Sequence, residues 1–251
     1  MSEIFKIVTF NIRCPQEVDG KNHWDNRKEI VDEYIENSDA DIICLQEVRP
    51  SVKEHFINAH KGFQFYGDFR FVPQREYDET PLVGLKSGKF ALLSYARRWL
   101  SPTPEVAESK YIEDNFWPRV YVELKLKRIS DGKEFYLINT HFELDDYSVK
   151  MSYLQLINRV NELKKENVPV FITGDLNQKS DFFEKLNDGT FTDISSGPEY
   201  TFQGFGRLFE KIDYILTSER DLKYKVKTAK VIKDGIYISD HFPVECEIEN
   251  F

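Results

Sequence analysis

Cysteine is scarce in this chain of 251 residues: Cys14, Cys44 and Cys246 lie far apart, two of them in apolar, strand-like context. Such spacing excludes a disulfide framework and a zinc knuckle, and it fits a reducing compartment, so a cytoplasmic protein is expected. Long apolar runs are missing too. None exceeds four residues, as in Ile42-Ile43-Cys44-Leu45, whereas a membrane-spanning helix needs about 20. Glu3 and Lys6 fall where the apolar centre of a secretory leader would lie, so no such leader is expected. There is no internal repeat, low-complexity tract or Gly/Ser/Pro linker, and residues 1–251 are expected to form one domain. A glycine-rich phosphate loop and a dinucleotide fingerprint are absent, as is any Cys-His or Ser-His-Asp order in the local context a nucleophile needs. Positive charge is in deficit: 34 basic against 43 acidic residues give −9. This repels a polyanion at long range and works against tight non-specific nucleic-acid binding. A local anion site stays open, because a bound divalent cation reverses the field around it.

What is present is an ordinary globular composition with 41% hydrophobic residues, enough to bury a core. Apolar, β-branched or aromatic segments bounded by polar residues predict strands over 4–10, 41–45, 90–94, 120–126, 134–139, 170–173, 212–216, 222–227 and 244–248. One-sided apolar patterning predicts helices over 27–37, through Ile30, Val31, Tyr34 and Ile35, and over 148–166, through Val149, Tyr153, Leu156, Ile157, Val160 and Leu163. Shorter helices are expected over 51–59 and 180–186. Many strands mixed with a few amphipathic helices imply a layered α/β domain. Residues 74–88 and 101–118 lack periodicity and are expected to be loops that select the substrate.

A recurrence locates the chemistry. Apolar segments run into Asn11, into Gln46-Glu47, into Asn139-Thr140-His141 and into Gly174-Asp175-Leu176-Asn177, while Ser239-Asp240-His241 precedes the last one. Strands that finish in carboxylates, amides or imidazoles gather those groups along one rim, where open sheets bind ligands. The set is Asn11, Glu47, His141, Asp175, Asn177, Asp213, Asp240 and His241. Taken singly, each has a structural alternative: Glu47 as a solvated strand end, Asp175 as a helix cap, Asp213 as a partner for Lys211, Asp240 as a turn residue. Taken together, four carboxylates cannot crowd ionised without a cation, and hard oxygen donors favour Mg²⁺ or Mn²⁺ over zinc. Two histidines add proton transfer near neutral pH, which points to metal-assisted hydrolysis by activated water.

The segments Thr9-Phe10-Asn11, Leu45-Gln46-Glu47-Val48, Asn139-Thr140-His141, Gly174-Asp175-Leu176-Asn177, Ile212-Asp213-Tyr214-Ile215 and Ser239-Asp240-His241-Phe242-Pro243-Val244 occur in the order seen in one family. In them the chain resembles the endonuclease/exonuclease/phosphatase superfamily, which includes pancreatic-type deoxyribonucleases, abasic-site endonucleases, neutral sphingomyelinases and inositol-polyphosphate phosphatases. Trp99-Leu100-Ser101 with Thr103-Pro104 is similar to a bacterial branch of small metal-dependent hydrolases. The resemblance implies a four-layer αββα sandwich, two facing mixed β-sheets with helices on the outer faces. It also implies a metal-dependent phosphoester hydrolase; one Mg²⁺ is expected, with Mn²⁺ as an alternative. By position, Glu47 is the principal metal ligand, with Asn11 and Asp240 on the metal side. Asp175 positions or deprotonates water, Asn177 hydrogen-bonds the scissile phosphate, Asp213 orients His241, and His241 and His141 face the phosphate.

Two departures stand out. Nuclease branches carry Asp where Arg13 stands, and a cation there disfavours a second metal and could grip a phosphate oxygen. Relatives show an acidic partner for the third-motif histidine where Gly88-Lys89-Phe90 stands, which would put Lys89 beside His141. Arg119 is read as a phosphate contact or a surface ion pair. Lys223, Lys225 and Lys227 are read as edge protection in preference to a nucleic-acid track, and Phe202 and Phe205 as packing under a loop or as a stacking surface. The expected function is a Mg²⁺-dependent phosphodiesterase or phosphatase of unassigned oligomeric state acting on a small phosphoester. The alternatives are a DNA or RNA nuclease of the same superfamily and a catalytically inactive binding module on the same fold.

Overall fold

The computed structural model describes residues 4–249. In chain order the strands are β1 (Phe5–Asn11), β2 (Ile42–Val48), β3 (Phe63–Tyr66), β4 (Thr80–Lys86), β5 (Phe90–Trp99), β6 (Val120–Arg128), β7 (Glu134–His141) and β8 (Val170–Asp175). They are followed by β9 (Thr192–Asp193), β10 (Asp213–Thr217), β11 (Lys223–Thr228), β12 (Ile232–Lys233), β13 (Ile236–Tyr237) and β14 (Val244–Glu249). The helices are α1 (Trp24–Asn37), α2 (Pro50–Ala59), α3 (Asp146–Leu163) and the short α4 (Ser180–Glu184). Two six-stranded sheets, β11-β14-β1-β2-β4-β3 and β5-β6-β7-β8-β10-β9, face each other. Both are mixed: β1 and β2 are parallel, as are β7 and β8, and the remaining neighbours in each are antiparallel.

Successive side chains of a strand point to opposite faces, and here both faces of the inner strands are covered. Phe5, Ile7, Cys44 and Val83 meet Leu124, Phe135, Leu137 and Phe171 between the sheets. The alternate residues Val8, Phe10, Ile43 and Leu45 pack against Val31, Ile35 and Phe56 of the helices on one outer face. On the other, Ile138 and Ile172 pack with Val149, Tyr153, Leu156 and Val160 of α3. The short unbroken apolar runs of the sequence are therefore strands buried on both faces, and the layers are αββα as the resemblance implied. Helix starts follow local chemistry: Pro50 opens α2, and the Asp145 carboxylate caps α3 by accepting from the Ser148 N–H at 2.8 Å.

Two expectations are corrected. The stretch 74–88 is not all loop, because it holds β4, an inner strand buried except at Lys86. Pro81 and Gly84 disguised it. Pro81 stands opposite an irregularity in β2 between Leu45 and Val48, so its missing N–H leaves no regular ladder bond unmade. Gly84 lies under the Phe65 ring, where a Cβ would come within 2.8 Å. Lys89 does not approach His141: it sits in the β4–β5 turn at the opposite rim, its Nζ 3.6 Å from Asp41 Oδ1. Residues 101–118 contain no helix or strand, as expected, and no helix among the described residues is long and apolar enough to cross a membrane.

Candidate active site

Strand direction decides which residues reach the rim. The C-terminal ends of β1, β2, β7 and β8 deliver Asn11, Glu47, His141 and Asp175, and the antiparallel β10 delivers Asp213 from its N-terminal end. In the pairing register Asp175 stands beside His141 on one side and Asp213 on the other. Gly174 is needed for this approach: its φ is 152°, and a Cβ would lie 2.1 Å from the Thr140 carbonyl oxygen. Glu47 has φ 59° in the irregularity of β2, a bulge-like break that re-aims the side chain at the end of a strand. Arg13 and Asn177 are also left-handed, with φ 55° and 52°. Strained residues of this kind persist where surrounding contacts over-determine them.

Those contacts are polar and buried. The Asn11 amide donates through Nδ2 to Glu47 Oε1 and to Asp175 Oδ2, both at 3.0 Å, and its Oδ1 accepts the Arg13 N–H at 2.9 Å. Asn11 therefore bridges two carboxylates and turns its oxygen to the backbone. Glu47 Oε2 accepts the Cys14 N–H at 2.9 Å. His241 Nδ1 is 2.8 Å from Asp213 Oδ2, its Nε2 is 3.6 Å from Asp175 Oδ2, and His141 Nε2 is 3.7 Å from the same oxygen. Asn177 donates its backbone N–H to Asp175 Oδ1 and its side-chain amide to the Phe142 carbonyl, each at 2.9 Å. Arg13 makes two hydrogen bonds to Asp19 at 3.1 Å and lies 3.7 Å from Asp240 Oδ2. Arg119 is paired with Glu143 at 3.2 Å, as one of its two readings expected, and it also lines the cleft with Glu47 and His141. Every residue of the sequence-derived set reaches this rim.

Burial sets the protonation states. Asp175 is raised to about 7 by burial and by the charge of Asp213. Burial opposes the imidazolium of His241, yet Asp213 and Asp175 overcome it and lift the group to about 10. Burial and the charge of Arg119 hold His141 well below its ordinary value. Glu47 stays ionised despite burial, because the Cys14 amide, the charge of Arg13 and the Asn11 amide favour its carboxylate. Burial lifts Glu79 and Asp240, and the charge of Glu47 adds to this against Arg70 on the first and His241 on the second. Such an excess of buried negative charge is what a divalent cation relieves.

A metal fits the donors present. Cys14, Glu47 and Glu79 bring ligand atoms within 4.8 Å of one another, as do Asp175, Asp213 and His241. In the second group the Asp213–His241 hydrogen bond is already made, although Asp213 Oδ1 is buried without a hydrogen-bond partner. The first group, with Asp240 near it, offers the carboxylate oxygens that hard cations prefer. Sequence reasoning missed Cys14, Arg70, Glu79 and the place of Phe202, whose ring lies 4.8 Å from that of His241. Glu79 precedes β4, whose antiparallel direction presents its N-terminal end to this rim, but Pro81 and Gly84 mask that strand in the sequence.

Fold and rim together define a scaffold for phosphoester hydrolysis. Residues 8–241 match the model of the endonuclease/exonuclease/phosphatase family, and the chain belongs to that family, whose members hydrolyse phosphoesters and generally use a divalent metal. An endonuclease/exonuclease/phosphatase from Bacteroides vulgatus superposes with a TM-score of 0.86 at 26% identity over 98% of this chain and 99% of its own. A mannosyl-6-phosphatase from Bacteroides thetaiotaomicron superposes with a TM-score of 0.82 at 22% identity over 97% of this chain and 99% of its own. The Ccr4 subunit of the CCR4-Not complex of Candida glabrata, a 3'-5'-exoribonuclease, is 25% identical over 80% of this chain, which spans only 27% of that protein.

Proposed function

We propose that residues 1–251 form one Mg²⁺-dependent phosphoester hydrolase acting on a compact substrate in the cytoplasm. The observation that carries this is the convergence on one Asp175 oxygen of the Asn11 amide and both imidazoles, Nε2 of His241 at 3.6 Å and of His141 at 3.7 Å. Asp175, raised to about 7, is poised to orient a water and take its proton at neutral pH. His241, kept as an imidazolium by Asp213, presents a charged N–H to a phosphoryl oxygen as negative charge grows there. His141 is neutral and serves as a hydrogen-bonding partner for the phosphate, and the second amide hydrogen of Asn177 is available to it as well. Glu47, with Asp240 and Glu79, would hold the Mg²⁺, which supplies Lewis-acid charge at the phosphoryl oxygens. Asn11 fixes Glu47 and Asp175 relative to each other. Arg13 and Arg119 stand at the edges as further phosphate contacts. The three cysteines are free and buried, in keeping with a reducing compartment.

A compact substrate is favoured by the half-open cleft lined by Glu47, Arg70, Glu79, Arg119 and His141, whose cavity volume of about 10 Å³ is far below the roughly 300–1,000 Å³ of sites that engulf drug-sized ligands. The likeness to the Ccr4 exoribonuclease favours the nuclease reading; the charge of −9 counts against it. Purified protein should turn over p-nitrophenyl phosphate or bis-p-nitrophenyl phosphate with Mg²⁺ and stop with EDTA, while Asp175→Asn and His241→Gln each lose roughly a thousandfold in kcat. RNA or DNA degraded in preference to every small ester would select the nuclease reading. Silence on the whole panel in Mg²⁺ and Mn²⁺ would select a binding module.

A further inference from the structure

Arg70 is a cation that the reaction described above does not use. It lies on the loop between β3 and β4 and is 3% exposed. Its Nη2 pairs with Glu79 Oε2 at 3.1 Å, but its Nε has no hydrogen-bond partner, the nearest carboxylate oxygen being that of Asp78 at 3.6 Å. The plane of the guanidinium is supported by Trp117, whose ring centroid is 4.3 Å from Cζ, and Phe71 packs edge-on against the same indole at 5.9 Å. The Trp99 Nε1–H donates to the Arg70 carbonyl at 3.0 Å, fixing the backbone beneath. The side chain therefore joins the loop over 67–79 to the aperiodic stretch 101–118, and it lines the cleft beside Arg119, Glu47 and His141.

Burying a guanidinium with one N–H unmade is costly, and an apolar side chain would pack on Trp117 without that cost. Glu79 and Asp78 answer part of that charge, and its place in the cleft lining beside Arg119 suits a further anion. At neutral pH a phosphate monoester carries close to two negative charges on three free oxygens, whereas a diester carries one charge and a second ester arm. A guanidinium fork can span two oxygens of either ester, so what favours the first is its second charge, which the pair Arg70 and Arg119 in one cleft would match.

We propose that Arg70, with Arg119, reads the dianionic terminal phosphate of a phosphomonoester and so makes this site a monoesterase, an inference that rests on the phosphoester-hydrolase reading above. Trp117 supports Arg70 from behind, with Phe71 against the indole, so a fixed cation would meet the second charge of a terminal phosphate.

The test compares p-nitrophenyl phosphate with methyl p-nitrophenyl phosphate, which share a leaving group, in Mg²⁺ at pH 8, where the monoester is fully dianionic. The wild type should favour the monoester in kcat/KM by about tenfold or more. Arg70→Met should cut kcat/KM for the monoester by about tenfold or more, and raise the inhibition constant of inorganic phosphate, while changing the diester by less than about threefold; Arg70→Lys should recover part of the loss. If Arg70→Met fails to fold by circular dichroism, Arg70→Lys and Arg119→Lys carry the comparison, and each should lower the monoester-to-diester ratio. A wild type that prefers the diester, or variants that slow both substrates by the same factor, would overturn the assignment to Arg70. Turnover of neither substrate by the wild type would instead overturn the hydrolase reading itself.

Discussion

Asp175 and His241 face each other at 3.6 Å, and both hold protons more tightly in the folded chain than in the unfolded one. Asp175 moves from 3.8 to about 7, so the folding advantage of its protonated form fades as pH climbs through that interval. His241 moves from 6.5 to about 10, so the stabilisation it draws from Asp213 is complete below pH 6.5 and is lost by about pH 10. Both groups act in the same direction, because in each case the native state binds the extra proton and stability falls as pH rises. In EDTA, the melting temperature should drop on the order of 10 °C between pH 6.5 and 9.5. Asp213→Asn removes the chief partner of the imidazolium, and its melting temperature should vary much less over the same range. A wild-type profile as flat as that of the variant would show that the Asp213–His241 pair does not hold its proton in the way its 2.8 Å contact implies.

At the scale of elements, the parallel pair β7 and β8 carries His141 and Asp175 side by side, and the chain can place them so because residue 174 has no Cβ. A methyl there would meet backbone, which cannot rotate away, so Gly174→Ala should cost about 3 kcal/mol or more in chemical denaturation and lower activity as well. A loss below about 1 kcal/mol would mean that the two strands separate easily and that the glycine is incidental. The same geometry explains which parts of the site were legible. Asn11, Glu47, His141 and Asp175 end strands whose apolar runs are visible in the sequence, so their shared rim could be read from the pattern. Glu79 was hidden because β4 was hidden, its Pro81 and Gly84 being explained only by the irregularity in β2 and the Phe65 ring. The positive φ of Glu47, the Asn139 amide that spans both sheets to the Leu45 and Leu82 carbonyls, and the seat of Arg70 on Trp117 all depend on residues distant in sequence. No local pattern encodes such meetings.

For the molecule as a whole, the question is what a charge of −9 does to the choice of substrate. Part of it lies in the rim, where Glu47, Glu79 and Asp240 crowd together and a cation would reverse the local field. The rest acts at long range. Lys223, Lys225 and Lys227 line β11, the edge of one sheet, where Lys225 Nζ lies 3.7 Å from Glu249 and Lys227 Nζ 3.4 Å from Glu245. Lysines on an exposed edge deter pairing with another chain, and their acidic neighbours leave little net attraction for a polyanion. Fluorescence anisotropy with single-stranded RNA and DNA in Ca²⁺, at about 50 mM salt where counterion release is strongest, should therefore detect no saturable binding. Replacing the three lysines by Glu should leave kcat/KM for the small ester within about twofold, since the steering field of a compact substrate is set at the rim and not along this edge. Saturable binding that weakens steeply with salt and disappears in the triple variant would make β11 a nucleic-acid track and return the nuclease reading to first place.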